Sequence, residues 1–120
     1  MATILIVDDH SDIRRLLTLS LNKAFDILEA PDGASAMDVI RHQHPDAVLL
    51  DIMMPGEIDG MQVLHAIKTD PKTSATLVVM ISARGQTSDH EAASKLGADA
   101  YFVKPFSPLH VVKWLQDRLL

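Results

Sequence analysis

The 120-residue sequence contains no cysteine, which excludes disulfides, thiolate metal sites and thiol catalysis. It also lacks an excess of basic side chains, because 11 lysines and arginines stand against 16 aspartates and glutamates. Non-specific nucleic-acid binding needs clustered positive charge, and the net charge of −5 argues against it. The sequence has neither a signal-peptide start nor an apolar run of membrane-spanning length. We therefore expect a cytoplasmic protein that contacts neither membrane nor nucleic acid.

Short apolar runs are the main feature that the sequence does contain. They are rich in Val, Ile and Leu and do not alternate cleanly with polar residues, which is typical of strands buried on both faces. Segments with helical periodicity separate them. This order predicts one α/β domain over residues 1–120, with a parallel sheet and helices on both of its faces. The five runs are TILIV (3–7), FDIL (25–28), DAVLL (46–50), TLVVMI (76–81) and AYFV (100–103).

Several side chains are suited to begin or end the predicted helices. Asp and Ser accept hydrogen bonds from the free N–H groups of a first turn, and a proline at the first helical position adds to that signal. Glycine is common just after the last turn, and Gly97 is the predicted stop of the fourth helix. The predicted starts are Asp32, Asp59, the capping box SDHE (88–91), and Ser107 before Pro108.

Charged and polar side chains follow four of the five runs. Asp8 and Asp9 follow the first, Asp51 the third, Ser82 the fourth and Lys104 the fifth. Ligands of open parallel sheets bind at the carboxyl ends of the strands, so we expect these side chains to share one rim. Taken singly, each carboxylate is better explained as a cap or a turn residue. The combination on four strand ends favours a functional site.

Three carboxylates on one rim need a positive counterpart. Two like charges about 4 Å apart repel by roughly 4 kcal/mol at an effective dielectric constant near 20, so without a cation the rim would be unstable or would retain protons. Oxygen donors favour a hard ion such as Mg²⁺, which shares its coordination sphere with phosphate oxygens. The expected ligand is therefore a phosphoryl group, contacted by Lys104 and Ser82. Asp51 is the candidate nucleophile that would form an acyl phosphate.

Four motifs carry a family resemblance, and they are ILIVDDH, AVLLDIMMPGEIDG, MISARG and LGADAYFVKPF. Together they make essentially the whole sequence similar to the chemotaxis-regulator-like receiver domains of response regulators in bacterial two-component systems. The resemblance implies a flavodoxin-like, doubly wound sheet with strand order 2-1-3-4-5. It also implies a phosphorylation-controlled signalling switch. Its phosphoryl donor would be the phosphohistidine of a histidine kinase or of a histidine phosphotransfer protein, or a small acyl phosphate.

The same resemblance implies a phosphoacceptor and a metal site. Asp51 matches the phosphorylated aspartate of the family. Asp8 and Asp9 match the acidic pair that holds Mg²⁺, for which Mn²⁺ can substitute, with Asp9 as a direct ligand. The backbone carbonyl of Met53 matches the remaining protein ligand beside Asp51.

The resemblance further implies the residues that read and limit phosphorylation. Ser82 and Lys104 match the hydroxyl and the lysine that contact the phosphoryl group, and Tyr101 matches the aromatic side chain that reorients with the hydroxyl. Met53 and Arg84 match the two positions that flank the path of the hydrolytic water. Because methionine cannot orient that water and Arg84 can cover the phosphoryl group, we expect slow self-dephosphorylation.

The partners of the protein are implied only in outline. In the family, the face formed by helix 4, strand 5 and helix 5 carries homodimer or output contacts, so a downstream protein is expected there. The sequence stops on WLQDRLL, which fits both a stand-alone receiver and the N-terminal part of a regulator with a C-terminal effector. The loop PGEIDG (55–60) is one residue longer than the common receiver pattern, but it follows both Asp51 and Met53.

Two functions of other classes stay open. One is a phosphorylation-independent binding module with a receiver fold, which the complete set of functional side chains argues against. The other is a hydrolase that uses an aspartyl phosphate. Such enzymes carry Asp-x-Asp after the first strand and a cap over the substrate, whereas Asp8 and Asp9 are adjacent and no length is left for a cap. We expect no enzyme activity beyond phosphorylation and dephosphorylation of Asp51 itself.

Overall fold

A computed structural model of the chain describes residues 1–83 and 87–120. Strands and helices alternate along the whole of it, as the apolar runs predict. The strands are β1 (Thr3–Val7), β2 (Asp26–Ala30), β3 (Ala47–Asp51), β4 (Leu77–Ser82) and β5 (Ala100–Val103). The helices are α1 (Ser11–Leu21), α2 (Gly33–Gln43), α3 (Gly60–Thr69), α4 (Thr87–Lys95) and α5 (Pro108–Leu119).

The five strands form one parallel sheet in the order β2-β1-β3-β4-β5, which confirms the predicted topology. Side chains of β1 alternate between the two faces of the sheet. Leu5 and Val7 belong to the core under α2, α3 and α4, while Ile4 and Ile6 belong to the core under α1 and α5. Burial on both faces explains why the apolar runs do not alternate with polar residues.

The ends of three strands differ from the predicted runs by one or two residues. β2 begins at Asp26 rather than Phe25, and it includes Glu29 and Ala30. β3 and β4 likewise run one residue further than predicted, and therefore end on Asp51 and Ser82. These polar residues still pair in register with their neighbours, as Asp51 does with Ile81. Two predicted site residues thus lie on the sheet itself and share its rigidity.

Most of the predicted helix ends are confirmed. The Asp32 carboxylate accepts a hydrogen bond of 2.7 Å from the N–H of Ser35, and Asp59 forms a full capping box with Gln62. Gly97 follows α4 with a φ of 98°, the left-handed conformation that favours glycine. Ser107 is the N-cap of α5, with Pro108 in the first turn, although its side chain makes no capping hydrogen bond.

The predicted capping box at residues 88–91 is wrong. α4 begins at Thr87, so Ser88 lies inside the first turn, and a residue there cannot serve as the cap that precedes the helix. The pattern of serine followed by glutamate three residues later is short and recurs by chance within polar helices. Among residues 1–83 and 87–120, no helix is long and apolar enough to span a bilayer.

The start of α3 packs directly against the end of β3. The N–H of Gly60 donates to the carbonyl of Ile52 over 3.0 Å. A Cβ atom at Gly60 would lie 2.1 Å from the carbonyl oxygen of Asp51. Only glycine allows this approach, because real Cβ contacts do not come that close. The loop of residues 55–60 therefore ends at Gly60, packed against the backbone of Asp51 and Ile52. α3 begins at this residue, as the predicted Asp59 cap requires.

Candidate functional site at the carboxyl edge of the sheet

The polar strand ends meet at one edge of the sheet. Asp8 directly follows β1 and Asp51 ends β3, and these strands are neighbours with Val7 opposite Leu50. The N–H of Asp8 donates to the carbonyl of Ala30 over 3.2 Å, which extends the β1–β2 ladder by one residue. Asp8 and Asp51 are consequently buried, with 3% and 5% of their surfaces exposed.

Lys104 joins the two buried carboxylates. Its Nζ atom lies 2.9 Å from Oδ2 of Asp8 and 3.6 Å from Oδ2 of Asp51. The backbone N–H of Lys104 donates to the carbonyl of Ser82 over 2.7 Å, which fixes the residue just after β5. The Lys104 side chain therefore reaches from the end of β5, across β4, to the carboxylates of Asp8 and Asp51. It supplies one positive charge to the site.

The electrostatics of the site leave negative charge incompletely balanced. Burial raises the pKa of Asp51 to about 6, and the charges of Asp8 and Asp9 add to this rise. Lys104 and the N–H of Met53 act in the opposite direction but are outweighed. The pKa of Lys104 is itself raised: burial is the largest single influence and lowers it, but the combined effects of Asp8 and Asp51 exceed the burial.

The donor atoms of the site suit a divalent cation. One ligand atom from each of Asp8, Asp9, His10 and Asp51 can be chosen so that all of them lie within 4.8 Å of one another. Carboxylate oxygens are the preferred ligands of Mg²⁺. The raised pKa of Asp51 is an independent sign that the site would gain from further positive charge. The residues that are present therefore fit the Mg²⁺ ion that the sequence predicts.

Sequence reasoning placed His10, directly after the acidic pair, at the mouth of the pocket as a minority interpretation and gave it no role as a metal ligand. Its Nδ1 atom lies 3.2 Å from Oδ1 of Asp8 and 3.3 Å from Oδ1 of Asp9. Its backbone N–H also donates to Oδ1 of Asp8 over 2.8 Å. The signal in the sequence was its position directly after the acidic pair, but adjacency alone does not determine where a ring points.

Arg14 is a second addition, and it acts on the backbone around the site. Its guanidinium group donates over 2.7 Å to the carbonyl oxygen of Asp8 and over 3.2 Å to Oε1 of Glu29. The side chain is largely buried between α1 and β2. These bonds hold the turn that carries Asp8 and Asp9 at the edge of the sheet.

The other predicted residues lie near this centre in different ways. Ser82 is buried at the end of β4, opposite Val103. The backbone N–H of Met53 donates to Oδ1 of Asp51 over 3.2 Å. Met53 itself is 57% exposed. Tyr101 lies in β5, half-buried, and its ring stacks on that of His90 with centroids 4.8 Å apart. Arg84 lies outside the described residues.

Replacing Asp51 by asparagine is expected to stabilise the metal-free protein at pH 7. A carboxyl whose pKa is higher in the folded state than in the unfolded state costs stability as pH rises from about 4 through about 6. A rise from 3.8 to about 6 corresponds to at most about 3 kcal/mol at pH 7. Urea unfolding in EDTA at pH 7 and pH 4 should show the gain of Asp51→Asn at the higher pH only.

Asp117→Asn, on the exposed face of α5, is the matched control for this measurement. It removes an exposed carboxylate and should change the free energy of unfolding little at either pH. Added Mg²⁺ should reduce the difference in the free energy of unfolding between Asp51→Asn and the parent protein. Mg²⁺ bound to the parent protein offsets the negative charge of Asp51, which the variant lacks, and so stabilises the parent protein more. An Asp51→Asn variant less stable than its parent at pH 7 would contradict the prediction.

Comparisons with known proteins agree with this arrangement. The sequence profile of the response regulator receiver domain family matches residues 4–116. The probable transcriptional regulator ycf27 of Galdieria sulphuraria is 45% identical over 106 residues, which are 88% of this chain and 40% of that protein. The phosphate regulon transcriptional regulatory protein PhoB of Pseudomonas aeruginosa is 37% identical over 115 residues, which are 95% of this chain and 50% of that protein.

The fold also has relatives among solved structures. The chemotaxis protein CheY4 of Vibrio cholerae superimposes with a TM-score of 0.90 at 27% sequence identity, covering 99% of both chains. The chain spans about 40% to 50% of the length of the two curated relatives above. Its match to the family profile, in contrast, extends over nearly all of its residues. The chain therefore belongs to the response regulator receiver domain family, whose members serve mainly signalling rather than metabolic catalysis.

Proposed function

We propose that the protein is a signalling switch that accepts a phosphoryl group on Asp51. The observation that carries this proposal is the buried Asp51 carboxylate beside the Lys104 ammonium and the Asp8–Asp9 pair. An Oδ atom of Asp51 attacks phosphorus while the N–P bond of a phosphohistidine breaks. The electron pair of that bond goes to the imidazole of the donor, which then takes a proton, and Asp51 becomes an acyl phosphate.

Each neighbouring side chain has a role in this transfer. Asp8, Asp9, Asp51 and the carbonyl of Met53 would hold Mg²⁺ or Mn²⁺, which neutralises charge on the phosphoryl oxygens when bound. Lys104, now paired with both buried carboxylates, would exchange its bond to Asp51 for one to a phosphoryl oxygen. The Ser82 hydroxyl would donate to a second oxygen. The catalysis is confined to phosphorylation and dephosphorylation of the protein's own Asp51.

The output of the switch is a change of surface. Movement of Ser82 toward the phosphoryl group would vacate space for Tyr101, which now packs half-buried beside α4. The face formed by α4, β5 and α5 would then shift toward a state with a different affinity for a partner. A few kcal/mol of differential affinity is sufficient for regulation.

The partners proposed here are those that the family resemblance implies. A histidine kinase or histidine phosphotransfer protein would be the phosphoryl donor. The output would be a homodimer or a downstream protein bound at α4, β5 and α5, or a C-terminal effector. The last alternative is supported by the transcriptional regulators among the relatives, of which this chain spans about half or less. Residues 1–120 would form one receiver domain in the cytoplasm.

The experiment that tests the proposal is intact-protein mass spectrometry after incubation with acetyl phosphate. The protein should gain one phosphoryl group when Mg²⁺ is present and none in EDTA. The Asp51→Asn variant should gain none in either condition. A folded protein that binds Mg²⁺ but gains no phosphoryl group would contradict the proposal and favour a phosphorylation-independent binding module.

The lifetime of the phosphorylated state gives a second test. Met53 lies beside Asp51 with an exposed apolar side chain, so it cannot orient a hydrolytic water. We expect Met53→Asn to accelerate loss of the phosphoryl group about tenfold, which is the effect of about 1.4 kcal/mol in the barrier. The rate is measured by mass after the donor has been removed. Met53→Leu, which stays apolar, should keep the parental rate, and equal rates for the two variants would remove the argument.

A further inference from the structure

His10 occupies a position where a different residue type is expected. It is the N-cap of α1, a place favoured by Ser, Thr, Asp and Asn because their oxygens accept from the first turn. The His10 side chain makes no capping hydrogen bond. Its ring nitrogen lies instead between two carboxylate oxygens, 3.2 Å from Asp8 and 3.3 Å from Asp9. The side chain therefore belongs to the acidic site and not to the helix end.

The two distances from the His10 ring nitrogen to the carboxylate oxygens resemble those between ligand atoms around one metal ion. One N–H group aligns well with one acceptor and poorly with two, whereas a cation contacts all three atoms at once. A tetrahedral ion with ligand bonds of about 2.0–2.1 Å holds its ligand atoms about 3.3–3.4 Å apart. The two nitrogen–oxygen distances lie within about 0.2 Å of that range.

An imidazole changes which metal such a site prefers. Oxygen ligands alone suit Mg²⁺, while imidazole nitrogen suits Zn²⁺, Co²⁺ and Ni²⁺. We propose that His10 joins Asp8 and Asp9 in a site for divalent transition metals, and that Zn²⁺ binds there more tightly than Mg²⁺. This inference rests on the proposed function only in placing a cation among these carboxylates. It adds that a second class of metal competes for the receiver's cation site.

The other five histidines provide internal controls. Among the described residues, one group of at least three potential metal-ligand side chains is found, and it consists of Asp8, Asp9, His10 and Asp51. His10 is the histidine in that group. His65 lies on the exposed side of α3, outside that group. A difference between variants at positions 10 and 65 therefore reports on the site and not on histidine content.

Isothermal titration of the tag-free, metal-free protein with Zn²⁺ and with Mg²⁺ tests the proposal. His10→Ala should weaken Zn²⁺ binding about tenfold or more, the scale on which lost metal-site interactions act, and leave Mg²⁺ binding within about twofold. His65→Ala should change neither. In the parent protein, the ¹⁵N resonance of the His10 ring nitrogen should shift much further on saturation with Zn²⁺ than with Mg²⁺. His10 has a 66% exposed side chain, so its truncation should leave the fold intact.

The outcomes separate this inference from the proposed function. If His10→Ala weakens the binding of both metals equally, or does not weaken Zn²⁺ binding, the proposal for His10 is overturned. Mg²⁺-dependent phosphorylation of Asp51 is unaffected by that result. Binding of neither metal to the parent protein overturns both, because then the carboxylates hold no cation. Loss of Zn²⁺ affinity alone, together with the shifted ring resonance, supports His10 as a ligand.

Discussion

Gly60→Ala is expected to destabilise the protein by about 3 kcal/mol and to abolish phosphorylation of Asp51. The added Cβ would lie 2.1 Å from the carbonyl oxygen of Asp51 and 2.7 Å from Cα of Ile52. Both are backbone atoms of a packed strand end, and overpacking against such atoms forces the elements apart. Either α3 or the phosphoacceptor must therefore move.

Two measurements check this prediction. Urea unfolding gives the loss of stability, and the mass gain with acetyl phosphate and Mg²⁺ reports on the site. Gly56→Ala is the matched control in the same loop, because no atom of the described residues lies within 4 Å of its Cβ position although its φ is +103°. That variant should lose only about 1 kcal/mol of stability through backbone strain. Equal stability of the two variants would show that α3 adjusts without cost.

Lys104→Met is expected to lower the free energy of unfolding by about 3 kcal/mol at pH 7 in EDTA. The substitution keeps an apolar stem but leaves the buried carboxylates of Asp8 and Asp51 without their ammonium partner, and such unpaired charges are costly. The loss should shrink as the pH falls toward about 6 and below, because Asp51 takes up a proton and its pKa rises further once Lys104 is removed. The raised pKa of Lys104 means that its contribution is present below pH 10.5 and is lost as the pH rises through the folded-state value.

The same variant should bind Mg²⁺ more tightly than the parent protein. Lys104 is a resident cation that repels an incoming one, and its removal should lower the Mg²⁺ dissociation constant about tenfold. Titration calorimetry measures this constant, and urea unfolding measures the stability. Lys113→Met, on the exposed side of α5, should change neither quantity. Unchanged stability and Mg²⁺ affinity in Lys104→Met would show that the buried pair is not energetically coupled.

The predictions for Asp51→Asn and Lys104→Met share one physical basis. The edge of the sheet holds carboxylates that cost stability in the absence of a cation, as the raised pKa of Asp51 indicates. Natural proteins retain such local conflicts at functional sites and offset them elsewhere. Here the offset is a fully buried core on both faces of the sheet, formed from the apolar strands. Asp51→Asn and Lys104→Met should therefore change stability in opposite directions.

The sequence by itself determined the fold and which side chains lie at the carboxyl edge of the sheet. Buried parallel strands must be apolar throughout, and their carboxyl ends must open at the same edge. Asp8, Asp51 and Lys104 could therefore be predicted to meet, although Asp8 and Lys104 are 96 residues apart in sequence. The caps at Asp32 and Asp59 were also readable, because a cap and its acceptor sites lie within one turn.

Only the tertiary structure decided what depends on packing between distant segments. The close approach of Gly60 to the backbone of Asp51 requires the position of α3 relative to β3, which no local pattern contains. The Tyr101–His90 stack and the orientation of the His10 ring depend on rotamers that neighbouring elements select. The capping box predicted at Ser88 was wrong because a local sequence pattern does not determine where a helix begins. Local hydrogen-bonding patterns permit several helix starts, and the packing of the helix against the sheet selects one of them.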